Sequence, residues 1–386
     1  MKIALVHDYI KEYGGAERVL EALHEIWPEA PVYTAVYLPQ FLGPHRERFE
    51  RWDIHTSWAQ KLPYVSKLIS PLRIFSPWIF DNLDLSDYGL VVVSATGAYV
   101  PNLIVTKTDT IHITYIHTPP RYLYGYPTAR NWRKYHLGRL AGEWINFKLR
   151  LVDFLAAQRP HQIIVNSQEV RRRVEKFYRR DDAVVIYPPV EMVDKISNIK
   201  YQSASWRTKL HIKNKKETYF LAGGRLARPK HIDLAIEACN RLKVPLKVFG
   251  KPFAGYGEEL KSIAGPTIEF VGEVNDEELM KLYASCKALL YPSEMEDFGI
   301  MPVEAQAFGK PVVAYRSGGV IETVVDGRTG VFFDQLTTES LVKAMKQLSN
   351  VRIKTQDCIE NAKRFSKERF KKELKKLVER LNRVGP

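Results

Sequence analysis

YPSEMEDFGIMPVEAQAFGKPVVAYRSGGVIETVVDGRTG, Tyr291 to Gly330, brings two acids, two turn glycines and a helix start together in one stretch. Pro302 suits the first helical position, where its missing N–H costs nothing, and Gly309 suits the residue just past the end, so a short helix is expected over residues 301–308. The free amides at its N-terminus, with those of Phe298 and Gly299 in the loop before it, make a donor-rich socket for hydroxyls or an anion. Glu296 in that loop and Glu304 in the first turn would put two carboxylates at the mouth of the socket. Taken alone, Glu304 also reads as an acid matching a helix dipole. A buried strand is expected at 312–315, followed by a tight turn at Ser317-Gly318-Gly319 and a helix over 320–325 carrying Glu322. Two successive strand-to-helix turns then share one side of a parallel sheet, which is where open α/β sheets bind ligands.

The same alternation runs outward in both directions. Upstream, a strand at 219–222 feeds Gly223-Gly224-Arg225-Leu226-Ala227-Arg228-Pro229-Lys230 and then a helix over 231–242. Arg225 and Lys230, on a glycine loop entering a helix, suit a diphosphate clamp, although a surface basic loop would look similar. Strands follow at 246–249, at 268–271 leading into Gly272-Glu273-Val274, and at 288–291. In the first half, a strand at 3–6 leads through a loop ending in Gly14-Gly15 into an amphipathic helix over 16–26. That glycine pair allows close approach of a phosphate or sugar, or is merely structural; it is not G-x-G-x-x-G, which argues against a nicotinamide cofactor. A strand at 111–116 delivers His117 at its C-terminal end, in a loop stiffened by Pro119 and Pro120. Tyr187-Pro188-Pro189-Val190 marks an extended connector. The expected fold is α/β, two doubly wound Rossmann-like domains facing a central cleft, with a boundary near Met192.

Glu296 and Glu304 flanking Phe298-Gly299 read E-x7-E. With G-G-x-x-E at Gly318 to Glu322, they resemble the nucleotide-sugar half of the retaining glycosyltransferases of family 4, whose two-domain fold is called GT-B. H-T-P-x-R-Y at His117 to Tyr122 resembles a mannosyltransferase-rich branch. The resemblance implies an N-terminal acceptor-side domain over 1–192, a nucleotide-sugar domain over 193–365, and a last helix within 366–386 crossing back onto the first domain. It also implies the following roles: Gly14, Gly15, Arg225 and Lys230 on the donor diphosphate; Glu296, Phe298 and Gly299 on the donor sugar; Val274 and Glu304 on the nucleoside; and His117 with Glu296 in the catalytic step. His231 stands where the family usually has glycine.

The implied reaction moves a hexose, with mannose from GDP-mannose favoured, to a saccharide or lipid-linked acceptor in glycan or polysaccharide biosynthesis. Retention would proceed by front-face attack. The chain has no D-x-D motif, and cations with helix amides can neutralise a departing diphosphate, so no metal and no cofactor are expected. A nucleotide-sugar 2-epimerase or hydrolase on the same fold is the alternative.

Composition bounds these readings. With 45% hydrophobic residues over 386, two full cores are affordable. Cys239, Cys286 and Cys358 have no paired spacing, which argues against disulfides or zinc. The N-terminus reaches His7 and Asp8 too soon for a signal peptide, and a cytoplasmic location is expected, peripheral to the membrane if at all. The net charge of +14 is concentrated at 130–180 and 363–383. It points to an anionic lipid surface or a phosphate-bearing acceptor, or is merely a solvated basic surface; no nucleic-acid motif accompanies it, so nucleic acid is not an expected partner. Between residues 54 and 80, aromatics interleave with Lys61, Lys67 and Arg73, broken by Pro63, Pro71 and Pro77. That pattern fits a segment lying on lipid headgroups and equally fits core helices under a sheet.

Overall fold

Residues 1–127, 136–192 and 219–384 are described in the computed structural model. The chain divides into two compact units, one built from Met1–Tyr126, Asn131–Pro189 and Glu368–Pro386, the other mainly from Val190–Lys367. The polar stretch 195–216, read from sequence as aperiodic, lies outside the described residues.

In the first unit, short β-branched and apolar runs make seven parallel strands: β1 (Ile3–His7), β2 (Val32–Thr34), β3 (Ile54–Thr56), β4 (Leu90–Ala95), β5 (Ile111–Ile116), β6 (Gln162–Val165) and β7 (Val184–Val185). Their order is β3-β2-β1-β4-β5-β6-β7. Side chains alternate faces along a strand, so Ala4, Val6, Val91 and Val93 enter one core and Leu5, Leu90 and Val92 the other. Both faces are thus covered, which is why these strands read as continuous apolar runs. The helix Lys367–Val384 completes the second of these cores with Phe370, Leu374, Leu377 and Val378, a helical i, i+4, i+7, i+8 stripe packed with Leu5 and Leu20.

The second unit repeats the plan with six parallel strands: β8 (Tyr219–Gly223), β9 (Leu246–Phe249), β10 (Ile268–Gly272), β11 (Cys286–Tyr291), β12 (Val312–Tyr315) and β13 (Gly330–Phe333), in the order β10-β9-β8-β11-β12-β13. Phe220, Ala222, Ala288 and Leu290 face one layer, and Leu221, Leu289 and Tyr291 the other. Each sheet grows one way from its first strand and then the other way. The resulting switch points lie between β1 and β4 and between β8 and β11, with crevices at the strands' carboxyl ends.

One sequence expectation shifts. The short helix runs Ile300–Ala307, starting from Gly299 at φ +92°, so Pro302 is its third residue and Glu304 lies beyond its first turn. A dipole match is therefore a poor account of Glu304. Gly309 does follow the helix in the left-handed conformation that ends it.

Candidate functional site

At the C-terminal switch point the two glycine-turn motifs interlock. Gly319 N–H donates to the Glu296 carbonyl at 2.7 Å, and Glu296 pairs with Gly318 as an isolated parallel bridge. A Cβ on Gly318 would stand 2.2 Å from the Glu296 carbonyl oxygen, and one on Gly319 2.3 Å from that of Asp297. Gly318 also has φ +67°. The second turn must therefore be bare for the acid-bearing loop to rest on it.

That contact fixes the Glu296 side chain. Its Oε2 accepts from Tyr291 Oη at 2.6 Å and Ser293 Oγ at 2.8 Å, and it is ion-paired with the Lys230 ammonium. Lys230 also stands 5.6 Å from the centre of the Tyr291 ring. Burial first, and then the Glu296 charge, push the Tyr291 phenol far up, so it stays a donor to the carboxylate. Three donors on one oxygen lock the carboxylate of a side chain that is still 15% exposed.

The other expected residues stand around this group in different ways. Glu304 accepts from Tyr283 Oη at 2.9 Å, and Tyr283 is held by stacking on Phe308. The Phe298 side chain is buried edge-on against Phe365 at 5.4 Å, which leaves only its backbone to face a ligand. Val274 is half-buried in the loop after β10, packed on the layer that holds Tyr283 and Leu289. Arg225 is exposed, its guanidinium 5.3 Å from the Phe253 ring centre, so the two cations expected as a clamp have different neighbours. His231 takes φ +47°, ψ +42°, keeping the left-handed backbone that glycine would adopt there. Its imidazole lies 3.4 Å from Glu294.

At the N-terminal switch point the group is buried and linked end to end. Strand register sets His7 opposite Ser94. His7 Nδ1 lies 3.1 Å from Ser94 Oγ, which lies 2.9 Å from His117 Nε2. Burial, and next the neighbouring His7, lower the His117 pKa to about 3, so its ring is neutral. It offers hydrogen bonds rather than charge. Beside this chain, Asp8 Oδ2 accepts from Thr96 Oγ1 at 2.6 Å, Ala98 N–H at 2.9 Å and Tyr99 N–H at 3.0 Å, tying the end of β1 to the loop after β4. Among the described residues, Asp8 Oδ1 and His7 Nε2 are buried without a hydrogen-bond partner. Gly14 caps the helix Gly15–Ile26 at φ −134°, and its N–H, expected to face a diphosphate, donates to Glu17 Oε2 at 2.8 Å. A Cβ on Gly14 would come no closer than 3.4 Å to that oxygen, so neither space nor conformation demands glycine there.

Sequence reasoning passed over His7, Asp8, Ser94, Tyr283, Tyr291 and Ser293. For all but Tyr283, which lies on the helix Asp276–Ser285, the available signal was their place at or just beyond strand ends, where ligand contacts of this topology gather. Among the described residues no cluster of three or more His, Cys, Asp or Glu is placed to hold a metal ion.

Comparison with known proteins adds the family. Residues 13–193 match the model described as Glycosyltransferase Family 4, and residues 205–365 match Glycosyl transferases group 1. Over 331 residues, 76% of this chain and 76% of the relative, the sequence is 25% identical to alpha-1,3/1,6-mannosyltransferase ALG2 of Dictyostelium discoideum. It is 28% identical over 178 residues to sulfoquinovosyl transferase SQD2 of Arabidopsis thaliana, covering 45% of this chain and 34% of that one. Among solved structures, Anabaena HepE in complex with UDP and glucose superposes with a TM-score of 0.69 at 19% identity, covering 98% of this chain and 99% of HepE. Sucrose-phosphate synthase from Thermosynechococcus elongatus gives 0.71 at 16%, covering 100% of both chains. These structural likenesses speak for the fold. With two family models lying almost end to end over two units of matching topology, the chain belongs to glycosyltransferase family 4 and is a hexosyltransferase.

Proposed function

We propose that this enzyme transfers mannose from GDP-mannose, with retention of anomeric configuration, to a hydroxyl of a lipid-linked or saccharide acceptor. The observation that carries the reading is the Glu296 carboxylate, fixed by Lys230, Tyr291 and Ser293 at the β8/β11 switch point. A carboxylate held in one orientation can order sugar hydroxyls, while the lysine beside it offers positive charge to a departing diphosphate. In this proposal Arg225 shares the diphosphate, and Gly14 and Gly15 contact it through the backbone. Glu304 and Val274 hold the nucleoside, Phe298 and Gly299 contribute backbone amides to the sugar, and neutral His117 hydrogen-bonds to it. The leaving phosphate takes the acceptor proton as the new glycosidic bond forms on the face from which the nucleotide departs. No metal enters this scheme.

The mannose donor is supported by the mannosyltransferase relative, which matches three quarters of the chain. A UDP-glucose donor is the second reading, favoured by the HepE structure determined with that sugar nucleotide. Incubating the enzyme with a panel of sugar nucleotides and a lipid extract, with product masses and anomeric configuration read out, separates them. Expected is a mannosylated product from GDP-mannose with the donor's configuration. Transfer from UDP-glucose alone overturns the donor, an inverted product overturns the mechanism, and release of free sugar alone favours hydrolysis or epimerisation.

A further inference from the structure

The helix His136–Ala157 is apolar on two opposite sides. Leu149, Asp153, Ala156 and Ala157 are buried in the first unit, whereas Trp144, Phe147, Leu151 and Leu155 are 65%, 49%, 50% and 63% exposed. Spaced three and four residues apart, the exposed four span an arc of only roughly 80° around the helix. A surface helix ordinarily turns a polar face outward, so this stripe calls for an occupant.

A second element shows the same excess. Between residues 58 and 81 the chain breaks into the short pieces Trp58–Lys61, Val65–Leu68, Pro71–Phe75 and Ser76–Asp81. Ala59, Val65, Leu72, Ile79 and Phe80 enter the core, while Trp58, Tyr64, Ile74, Phe75 and Trp78 stay exposed. The core reading of this segment holds for the first group only; the second group is left on the surface. Nine of the sixteen large apolar side chains exposed among the described residues lie on these two elements, so the apolar surface is concentrated rather than scattered.

The two elements adjoin. Both Ser76–Asp81 and His136–Ala157 pack on the turn Pro101–Leu103. Arg73 stacks over Tyr122 at 4.9 Å, and Arg150 donates to the neighbouring Leu123 carbonyl at 3.1 Å. Their charge is mainly positive: residues 54–80 contain no Asp or Glu, Lys61 and Lys67 are exposed, and Lys148 stands 5.6 Å from the Trp144 ring centre, with Asp81 and Glu143 the acids at the edges of the two elements. The helix Gln168–Tyr178 adds less than its sequence promised. Arg173 is buried, bonded to Glu169 and Thr118, and only part of its arginine run is free to meet a surface.

We propose that this face of the first unit docks on an anionic lipid bilayer. Tryptophan, tyrosine and phenylalanine would settle at headgroup depth with leucine beneath them, while the lysines meet lipid phosphates. Charge complementarity selects this occupant, because a second copy would press one basic rim against another.

Co-sedimentation of the full chain with phosphatidylcholine vesicles, and with vesicles containing added phosphatidylglycerol, tests the proposal. Wild type is expected to pellet with the anionic vesicles only, and less so as salt rises. Replacing Trp144, Phe147, Leu151 and Leu155 together by Ser should raise the lipid concentration for half-binding at least about tenfold even at low salt, without lowering the melting temperature. Reversing Lys61, Lys67 and Lys148 to Glu should abolish the preference for anionic lipid. Brominated phosphatidylglycerol should quench wild-type tryptophan fluorescence, a readout that depends on no variant. Wild type left in the supernatant and unquenched overturns the proposal, as does a wild-type dimer that ignores vesicles and becomes monomeric in the Ser variant.

Discussion

The two units share a strand order and a switch point but fill the crevice there with opposite chemistry. Between β1 and β4, polar side chains turn toward one another: His7, Ser94 and His117 form a chain, and Asp8 braces the next loop. Between β8 and β11, the crevice is walled by bare glycine backbone and holds an ion pair that is partly open to solvent. The first arrangement fixes its members by hydrogen bonds and leaves the His117 ring neutral. The second keeps a cation and a carboxylate charged at the surface. Topology thus supplies the location, and the residues at the strand ends decide what it can do.

The largest expected effect comes from adding one methyl group to either side of this comparison. Gly318→Ala forces a Cβ into the Glu296 carbonyl at 2.2 Å and onto a left-handed backbone, so it should destabilise the second unit by roughly 2–5 kcal/mol. Gly14→Ala meets nothing closer than 3.4 Å, and as an N-cap change it should cost about 1 kcal/mol or less. Denaturant unfolding of both variants checks the contrast; equal losses would erase it. If Gly14→Ala folds normally yet loses donor affinity, the close approach proposed for its backbone gains support.

The next effect belongs to an acid near the first crevice. Asp153 accepts from Tyr124 Oη at 2.8 Å and Tyr178 Oη at 2.9 Å and lines a cavity of about 20 Å³, room for a single water. Burial, against the pull of those two hydrogen bonds, raises its pKa from 3.8 to about 7. The folded state therefore holds a proton that the unfolded chain has lost. The stability tied to that proton is fully present below pH 3.8 and is lost as pH rises through about 7. Asp153→Asn should remove this dependence, gaining up to about 4 kcal/mol on wild type between pH 4 and pH 8. His117 acts with the opposite sign: its lowered pKa makes stability fall as pH drops from about 6.5 toward 3. Thermal unfolding across pH resolves the two, and an Asn variant whose gain is independent of pH would refute the assignment for Asp153.

How much of this could be read beforehand followed sequence distance. Glu296, Phe298-Gly299, Glu304 and Gly318-Gly319 lie in one stretch, and glycines with acids at strand-to-helix turns announce themselves. The ion pair between Lys230 and Glu296 spans 66 residues, and the contact of His7 with Ser94 spans 87; only the strand order brings them together. The sheets themselves were legible because apolar runs between turn residues have few other solutions. The start of the helix Ile300–Ala307 was misplaced because Pro302 suggested a first position, whereas Gly299 in the left-handed region starts the helix earlier. The apolar residues between 144 and 157 fall on two faces of one helix, and periodicity alone does not say which of them is covered.

Removing charge from the second crevice should have a smaller and more local effect. Lys230→Ala leaves Glu296 with Tyr291 and Ser293 as donors, so the fold should hold while donor binding weakens by roughly 1.5–3 kcal/mol. That is about 10- to 150-fold in affinity. Arg225→Ala, at an exposed side chain beside Phe253, should lose less because solvent screens its charge. Glu296→Gln should slow turnover more than it weakens GDP binding. Titration with GDP alongside turnover measurements separates these outcomes, and unchanged GDP binding in both cation variants would remove them from the diphosphate.

The smallest expected effect sharpens what the crevice asks of its backbone. His231 holds φ +47° immediately after Lys230, a conformation that a side-chain-bearing residue adopts at a cost of about 1–2 kcal/mol. His231→Gly relieves that strain but gives the unfolded chain more freedom to lose, and the 3.4 Å contact with Glu294 disappears. These terms nearly cancel, so net stability should change by less than about 1 kcal/mol. Because glycine takes the same backbone shape, Lys230 should still reach Glu296, and donor affinity should stay within about twofold of wild type. His231→Val tests the same point from the other side: a β-branched residue resists positive φ, so it should displace Lys230 and weaken donor binding with it. If the glycine variant instead lost affinity as severely as Lys230→Ala, the imidazole itself would have to touch the donor, and the crevice would depend on a third basic side chain rather than on backbone shape.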